Sequence, residues 1–485
     1  MRPIRHRLFV IALGYAACDG APADDPAASA IAALDTRPEP DRDLELPDLP
    51  RDTGGGNTIP LPEHDDGWSA ACPLTISQPF STRVLDSTDW DFGYAVATDT
   101  DVCAIYVGGA TTGLLDPSFV RQADFGNDAF VARYSTTGAR LWVRQLGTDE
   151  LEEIRGVATD SSHNVYVTGW TGGTLAGSPD ANQGGADAFL AKYDQDGNHL
   201  WTRQLGSDED DAAYAIALND RGEIYIAGSA EGALPGGGGH LGGDDFFLAK
   251  YDQNGNRLAV GQHGNDAGQW AFGLAIGPAG NPYVTGFTYG ELASGMLGVR
   301  GDLFVGKYDG SCRQIWISQR GSSEYEAGAA VAVNDSGQVF VTGTTLGGLD
   351  GHTNQGGYDM FVLRYDANGT WVWTDQRGTS ENDVGTGIAV TEEGGPYAAG
   401  WTFGGLDGTT DGLGADVYVV RYGRGGVRRW TRDMNATSAH YYANALALDA
   451  WGNAYIAGES DRTDPQTGAV LDAFAVKFDD DGYLR

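Results

Sequence analysis

Five carboxylates stand at one repeated position in this 485-residue chain: Asp91, Glu152, Asp211, Glu326 and Asp383. Gln269 and Tyr441 hold the same position in two further copies. Asp350 and Asp407 sit in two matching Gly-Gly-Leu-Asp-Gly runs. Carboxylate oxygens in loops suit Ca²⁺, and acids beside adaptable Gly-rich loops suit the hydroxyls of a glycan. The alternative is that each acid binds backbone N–H groups of its own loop, as Asp does in turns. Support for catalysis is thinner. His163, His199, His240, His263, His352 and His440 are scattered, with no repeated Ser or Cys partner. No HExxH, Walker or GxSxG pattern stands in a fitting context. The Asp-x-Asp-Gly turns, such as 194–197, lack the later Glu of a calcium loop and read as hairpins.

The elements that must position these residues recur. The heptapeptide DAFLAKY at 187–193 has relatives starting at 128, 245, 302, 359, 416 and 472. In chain order the seven starts differ by 59, 58, 57, 57, 57 and 56 residues. A near-constant period means a repeat architecture. A strand of YVTG type gives the same count, at Tyr106, Tyr166, Tyr225, Tyr283, Phe340, Tyr397 and Tyr455.

Each unit reads as four short strands with Asp/Asn/Gly turns, which makes antiparallel hairpins. Such a unit cannot bury its faces alone. Repetition about an axis buries them and leaves only short edges. The expectation is an all-β, seven-bladed β-propeller over residues 71–485. The innermost strand is crowded, so the small-residue runs such as 214–217 become strand A. The Tyr strand is B, the DAFLAKY strand C, and the Leu-Trp strand D on the rim. The chain ends after a strand C, so the D-like run at 80–85 is expected to complete the last blade. The D–A and B–C loops then share one face, with the seven acids on it. The periodic Trp142, Trp201, Trp316, Trp373 and Trp430 read as rim packing. The periodic Lys or Arg before the Tyr of strand C reads as an outward or between-blade ion pair.

The pattern F-[VL]-A-[KR]-Y-x-x-x-G-x-x-L-W-x-R-Q-x-G, followed by A-x-D-x-x-G-N-x-Y-V-T-G, is carried well by residues 128–170 and 187–228. It resembles the SBBP repeat family of bacterial β-propellers, over about residues 78–485. Blade three departs with Leu258-Ala259, and blade six with Arg429-Trp430. The resemblance implies a seven-bladed propeller and export, and carries over no catalytic residue. The Gly-x-x-Leu-Trp pattern is also similar to quinone-cofactor dehydrogenase propellers, but no dedicated cofactor site is found for that reading.

The ends differ from this body. Arg2, Arg5 and Arg7 precede a short apolar run ending at Cys18, so residues 1–18 resemble a bacterial lipoprotein signal with Cys18 lipidated. Tyr15 departs from that pattern, and cleavage with ordinary secretion is the alternative. Residues 19–70 are Pro-rich, acidic and aromatic-poor, and are expected to be an extended tether. A disulfide between Cys72 and Cys103 would latch the closing strand in an exported protein, leaving Cys312 free. The net charge of −36 argues against nucleic acid and against binding to anionic membrane except through the anchor.

The expected protein is therefore an exported lipoprotein of the bacterial envelope, or a secreted one. It is expected to be a monomer acting as a non-catalytic scaffold for a polymer, glycan or protein. Ca²⁺ is the one cofactor its acids suggest. The alternative is an extracellular hydrolase or lyase with its site on the loop face.

Overall fold

The computed structural model describes residues 87, 89–120, 126–293, 300–391, 394–408, 414–434, 439–464 and 468–484. The A strands are Asp91–Asp99, Glu152–Thr159, Asp211–Leu218, Gln269–Ile276, Glu326–Val333, Asp383–Val390 and His440–Leu448. The B strands are Ala104–Thr111, Val165–Thr171, Ile224–Ala230, Pro282–Thr288, Val339–Thr345, Pro396–Thr402 and Ala454–Asp464. The C strands are Asp128–Ser135, Asp187–Tyr193, Asp245–Tyr251, Asp302–Tyr308, Asp359–Tyr365, Asp416–Tyr422 and Gly468–Phe478. The D strands are Arg140–Leu146, His199–Leu205, Arg257–His263, Gln314–Arg320, Trp371–Arg377 and Arg428–Asp433.

Six sheets run in the order A–B–C–D, and the seventh, among the described residues, in the order A–B–C. The run at 80–85 expected to complete that blade lies outside the described residues. Each strand A packs on strand A of the next blade, and blade one packs back on blade seven, so seven antiparallel blades close a propeller. The crowding this demands is met by small side chains. The seventh residue of strand A, the eighth in the last blade, is Ala throughout: Ala97, Ala158, Ala217, Ala275, Ala332, Ala389 and Ala447. The core lies between blades. Tyr106 and Val131 of blade one meet Ile154, Val167 and Phe189 of blade two in one buried cluster.

At the rim, each Trp of strand D reaches the C–D turn of the next blade. Trp142 Nε1 donates to Gln195 O at 2.9 Å, and Trp201 Nε1 to Gln253 O at 3.3 Å. The turn residue under the ring must be glycine. Gly197 has φ 78°, and a Cβ there would stand 2.8 Å from the Trp142 ring. Blade three tests this pairing in nature. Ala259 replaces the Trp, and the facing turn carries Cys312 at φ 60° in place of glycine. Cys312 is free and buried, and Ala259 packs against the cluster that contains it. Removal of a large ring on one blade is matched by addition of a side chain on the next.

The basic residue of strand C differs in detail from expectation. It lies over the strand-B tyrosine of its own blade, as Lys192 does 4.9 Å from the Tyr166 ring and Lys477 5.3 Å from Tyr455. Arg133 donates to the next blade's Gln195 O at 2.8 Å. A between-blade ion pair forms at Arg421–Asp480, 2.7 Å. Turn carbonyls also accept from Lys192 at 3.4 Å and Arg364 at 3.3 Å, while Lys250 pairs with Glu223 of its own blade at 2.7 Å. Inside the turns, Asp194 Oδ1 accepts from the backbone N of Asp196 at 3.0 Å and of Asn198 at 2.8 Å. Its oxygens close a hairpin.

Candidate functional site

The five repeated acids open their A strands on the D–A loop side, and all five are buried. Glu152 accepts from Thr148 N at 2.8 Å, Thr148 Oγ1 at 2.6 Å and Thr171 Oγ1 at 2.8 Å. Glu326 accepts the same three bonds from Ser322 and Thr345 at 2.6–2.7 Å. Asp383 accepts from Thr379 and Thr402, and Asp91 from Ser87 and Thr111. These carboxylates tie the D–A loop to the end of strand B. They do not form an exposed acidic face, because desolvating a carboxylate is tolerable only where donors surround it. Gln269 does the same with Asn265. Burial raises the pKa of Asp91, Glu152, Glu326 and Asp383. Asp211 is the exception in degree. Ala230 stands where the neighbouring blades have Thr, so one oxygen lacks a partner, and burial carries Asp211 to about 8.

The remaining two acids serve elsewhere. Asp350, at φ 52°, bridges Arg320 of blade four and Thr374 of blade five. Asp407 donates its backbone N to Asp433 Oδ2 at 3.1 Å. In the other blades Asp433 is replaced by Gln, whose Nε2 donates to the first Asp of strand C, as Gln376 does to Asp359 at 2.8 Å. Burial, with the charges of Asp407 and Asp416 adding, raises Asp433 to about 7. Among the described residues no group of three or more His, Cys, Asp or Glu has a metal-holding arrangement. Cys103 is disulfide-bonded. Cys72 and Cys18 lie outside the described residues.

The register of the blades reveals a site that the repeat pattern concealed. In every blade the A–B pairing skips the fourth residue of strand A, or its equivalent: Tyr94, Arg155, Tyr214, Phe272, Ala329, Thr386 and Asn444. Each is the extra residue of a β-bulge, which turns a side chain out of the ladder. On the innermost strand that direction is the axis. All seven are partly solvent-accessible, between fully buried neighbours in most blades.

The ring is polar on one side. Arg155 donates from Nε to Glu153 at 2.8 Å and pairs with it through Nη2 at 2.5 Å. Its guanidinium lies 3.9 Å above the Tyr94 ring of the preceding blade. Asn444 Nδ2 donates to Gly93 O at 3.0 Å, joining blades seven and one, and reaches Glu459 Oε2 at 3.5 Å. Burial raises Glu459 to about 7; Arg155 and Asn444 oppose that shift and Glu153 adds to it. Ser229 Oγ donates to Tyr214 Oη at 3.4 Å, and Tyr214 meets Phe272 edge-on at 5.8 Å. Blades five and six bring only Ala329 and Thr386 to the ring.

Aromatic side chains pack beneath the D–A and B–C face, with Trp270, Phe287, Trp401 and Tyr442 buried. Trp270 stacks with Phe287 at 5.7 Å, which meets Tyr289 at 4.6 Å and Tyr325 of the next blade at 4.9 Å. Across the ring, Trp401 meets Tyr442 at 5.3 Å, and Tyr442 stacks with His440 at 6.1 Å. One sequence signal points to this site. Tyr94, Arg155, Tyr214 and Phe272 are large residues inside small-residue runs, where a crowded strand should not hold them. Glu459, on strand B of blade seven, has no such signal.

The Beta-propeller repeat family, SBBP, matches residues 141–175. Regulatory protein FlaEY of Caulobacter vibrioides is 27% identical over 139 residues, covering 27% of this chain and 14% of that protein. The chain thus spans about a seventh of that relative's length. Among solved structures, the WD40 domain of Neurospora crassa Pan2 is similar with a TM-score of 0.44 at 9% identity, over 81% of this chain and 97% of that one. Puromycin hydrolase is similar with a TM-score of 0.45 at 16% identity, over 81% and 53%.

Proposed function

For a chain built on SBBP β-propeller repeats, we propose an exported, membrane-tethered binding scaffold that takes a polymer or protein partner at the channel mouth on the D–A and B–C face. One observation carries this reading: the 42%-exposed Tyr289 and the partly exposed Tyr325 and His440 stand at the end of the propeller where the adaptable loops also gather, over the buried Trp270, Phe287, Trp401 and Tyr442. Aromatic faces on a rigid ring supply contact area at little entropic cost. Export rests on the signal-like residues 1–18. The disulfide at Cys103, for which the sequence reading expects Cys72 as partner, suits an oxidising compartment. Lipid on Cys18 and an extended tether at 19–70 would hold a monomeric propeller off the membrane. The test is retention of the full chain on immobilised cell-wall polysaccharides and envelope proteins. A Tyr289→Ala/Tyr325→Ala double variant should lose retention while keeping its melting temperature within a few degrees. Equal retention by both would remove the reading.

A second reading, hydrolysis of a glycosidic bond, is favoured by the Glu459–Glu153 pair. Burial, with the charge of Glu153 adding, raises the Glu459 carboxyl to about 7, where a general acid works. Glu459 would protonate the departing oxygen while Glu153 takes a proton from the attacking water. New reducing ends from polysaccharide, absent in Glu459→Gln, would establish it.

A further inference from the structure

We propose that the bulged ring of the channel is a subsite for the terminal residues of an uncharged glycan, entering from the aromatic mouth. The inference rests on the binding reading above and names its ligand class.

The ring differs from the rest of strand A in kind. The framework positions repeat sevenfold, as the seven alanines do, because each blade solves the same packing problem. The bulged position presents Tyr, Arg, Tyr, Phe, Ala, Thr and Asn. Bulges free these side chains from ladder pairing. Tyr214 and Phe272 pack on the Trp270 cluster and Arg155 on Tyr94, while no sevenfold rule fixes their identity. The five larger groups run consecutively from blade seven to blade four. The two small ones, Ala329 and Thr386, leave the ring least filled by side chain at blades five and six. Ligand sites gather a few convergent polar groups beside apolar walls.

The chemistry of the groups selects the ligand. Arg155 is neutralised by Glu153, so it offers no net charge to an anion. Asn444 and Glu459 lie side by side and together donate and accept hydrogen bonds. Tyr94 and Tyr214 add hydroxyls. Phe92 stacks on Tyr94 at 5.8 Å, only 11° from parallel, and presents a flat wall beside the polar cluster. Hydroxyls on the edge of a ring with apolar faces match this set. The overall charge of −36 disfavours acidic sugars.

A second, independent observation points to a missing hydrogen-bond partner. Trp170 Nε1 and Thr344 Oγ1 are buried without a partner among the described residues, the side chains being 4% and 0% exposed. Trp170 lies directly opposite Glu153 in the A–B register, and Thr344 opposite Ala327, one residue from the ring on the mouth side. Buried donors left unmatched are costly, and native structures keep few.

The experiment is calorimetric titration of the full chain with uncharged hexasaccharides of glucose, xylose, mannose and galactose, and with hexagalacturonate as an acidic probe. At least one neutral hexasaccharide should bind saturably, and hexagalacturonate at least tenfold more weakly. Asn444→Ala should weaken binding tenfold or more. Thr386→Trp, which adds a large side chain at the least filled part of the ring, should abolish it with the fold intact by melting. Binding that survives both substitutions but falls with Tyr289→Ala would overturn the axial subsite and leave the mouth reading standing. No heat with any neutral sugar would overturn the glycan assignment, and the retention assay would then judge the mouth alone. Preference for hexagalacturonate would overturn the charge argument.

Discussion

The blade framework and the axial ring are built on the same strand and obey opposite rules. In the framework, the seven copies agree. Strand C carries a buried Asp at one equivalent position in every blade, and strand D answers it with Gln in five of the six described D strands, as Gln145 does to Asp128 at 2.7 Å. Where one copy departs, its neighbour compensates, as Ala259 and Cys312 show. In the ring, adjacent copies share no such answer. Agreement among repeats marks positions solving a packing problem posed seven times. Disagreement at a position freed by a bulge marks where the symmetric scaffold is made into one particular surface.

That contrast has measurable edges. The largest effect should come from breaking a framework cap. Glu152→Ala removes three hydrogen bonds from a buried loop and should cost about 3 kcal/mol in chemical denaturation. Trp201→Ala should cost about 2 kcal/mol, since its ring is half-buried and its indole bond is long. Restoration should work in the opposite direction. Ala230→Thr supplies the hydroxyl that Asp211 lacks and should add about 1 kcal/mol at pH 8. Thr386→Ala, on the ring, should change stability by no more than about 0.5 kcal/mol. A framework-sized loss there would erase the distinction between the two regions.

Acidity gives a further test of the same contrast. Asp211 is raised from 3.8 to about 8 and Glu459 from 4.5 to about 7, both chiefly by burial. The folded protein therefore holds protons that the unfolded chain has released. Stability contributed this way is full below about pH 4, declines as pH rises, and levels off above about 8. Melting temperature should be higher at pH 5.5 than at pH 8. Asp211→Asn should flatten the upper part of the decline and Glu459→Gln the middle, and an unchanged profile in both would refute the assignment.

Much of the framework was legible beforehand because its causes are local. The Asp and Gly of a hairpin turn, the alternation of DAFLAKY and the small residues of strand A each report their surroundings within a few residues. The loop acids were legible as a repeated set, and their alternative role as caps was visible in the neighbouring Ser and Thr. Their burial was not, because it depends on how strand B and the D–A loop fold over them. The ring was hidden for a sharper reason. A bulge is a mismatch between two strands, and neither strand alone contains it.

From the sequence by itself come the period, the seven blades, the order of strands within each and the likeness to the SBBP repeat, all consequences of short-range pattern repeated many times. The tertiary structure alone decided that the loop carboxylates turn inward and that Arg155 meets Tyr94. It also decided that Glu459 and Asn444 of the last blade share the axis with Glu153 of the second. Closing a ring brings residues from opposite ends of the chain to one centre, and no periodicity along the chain encodes which of them will meet there.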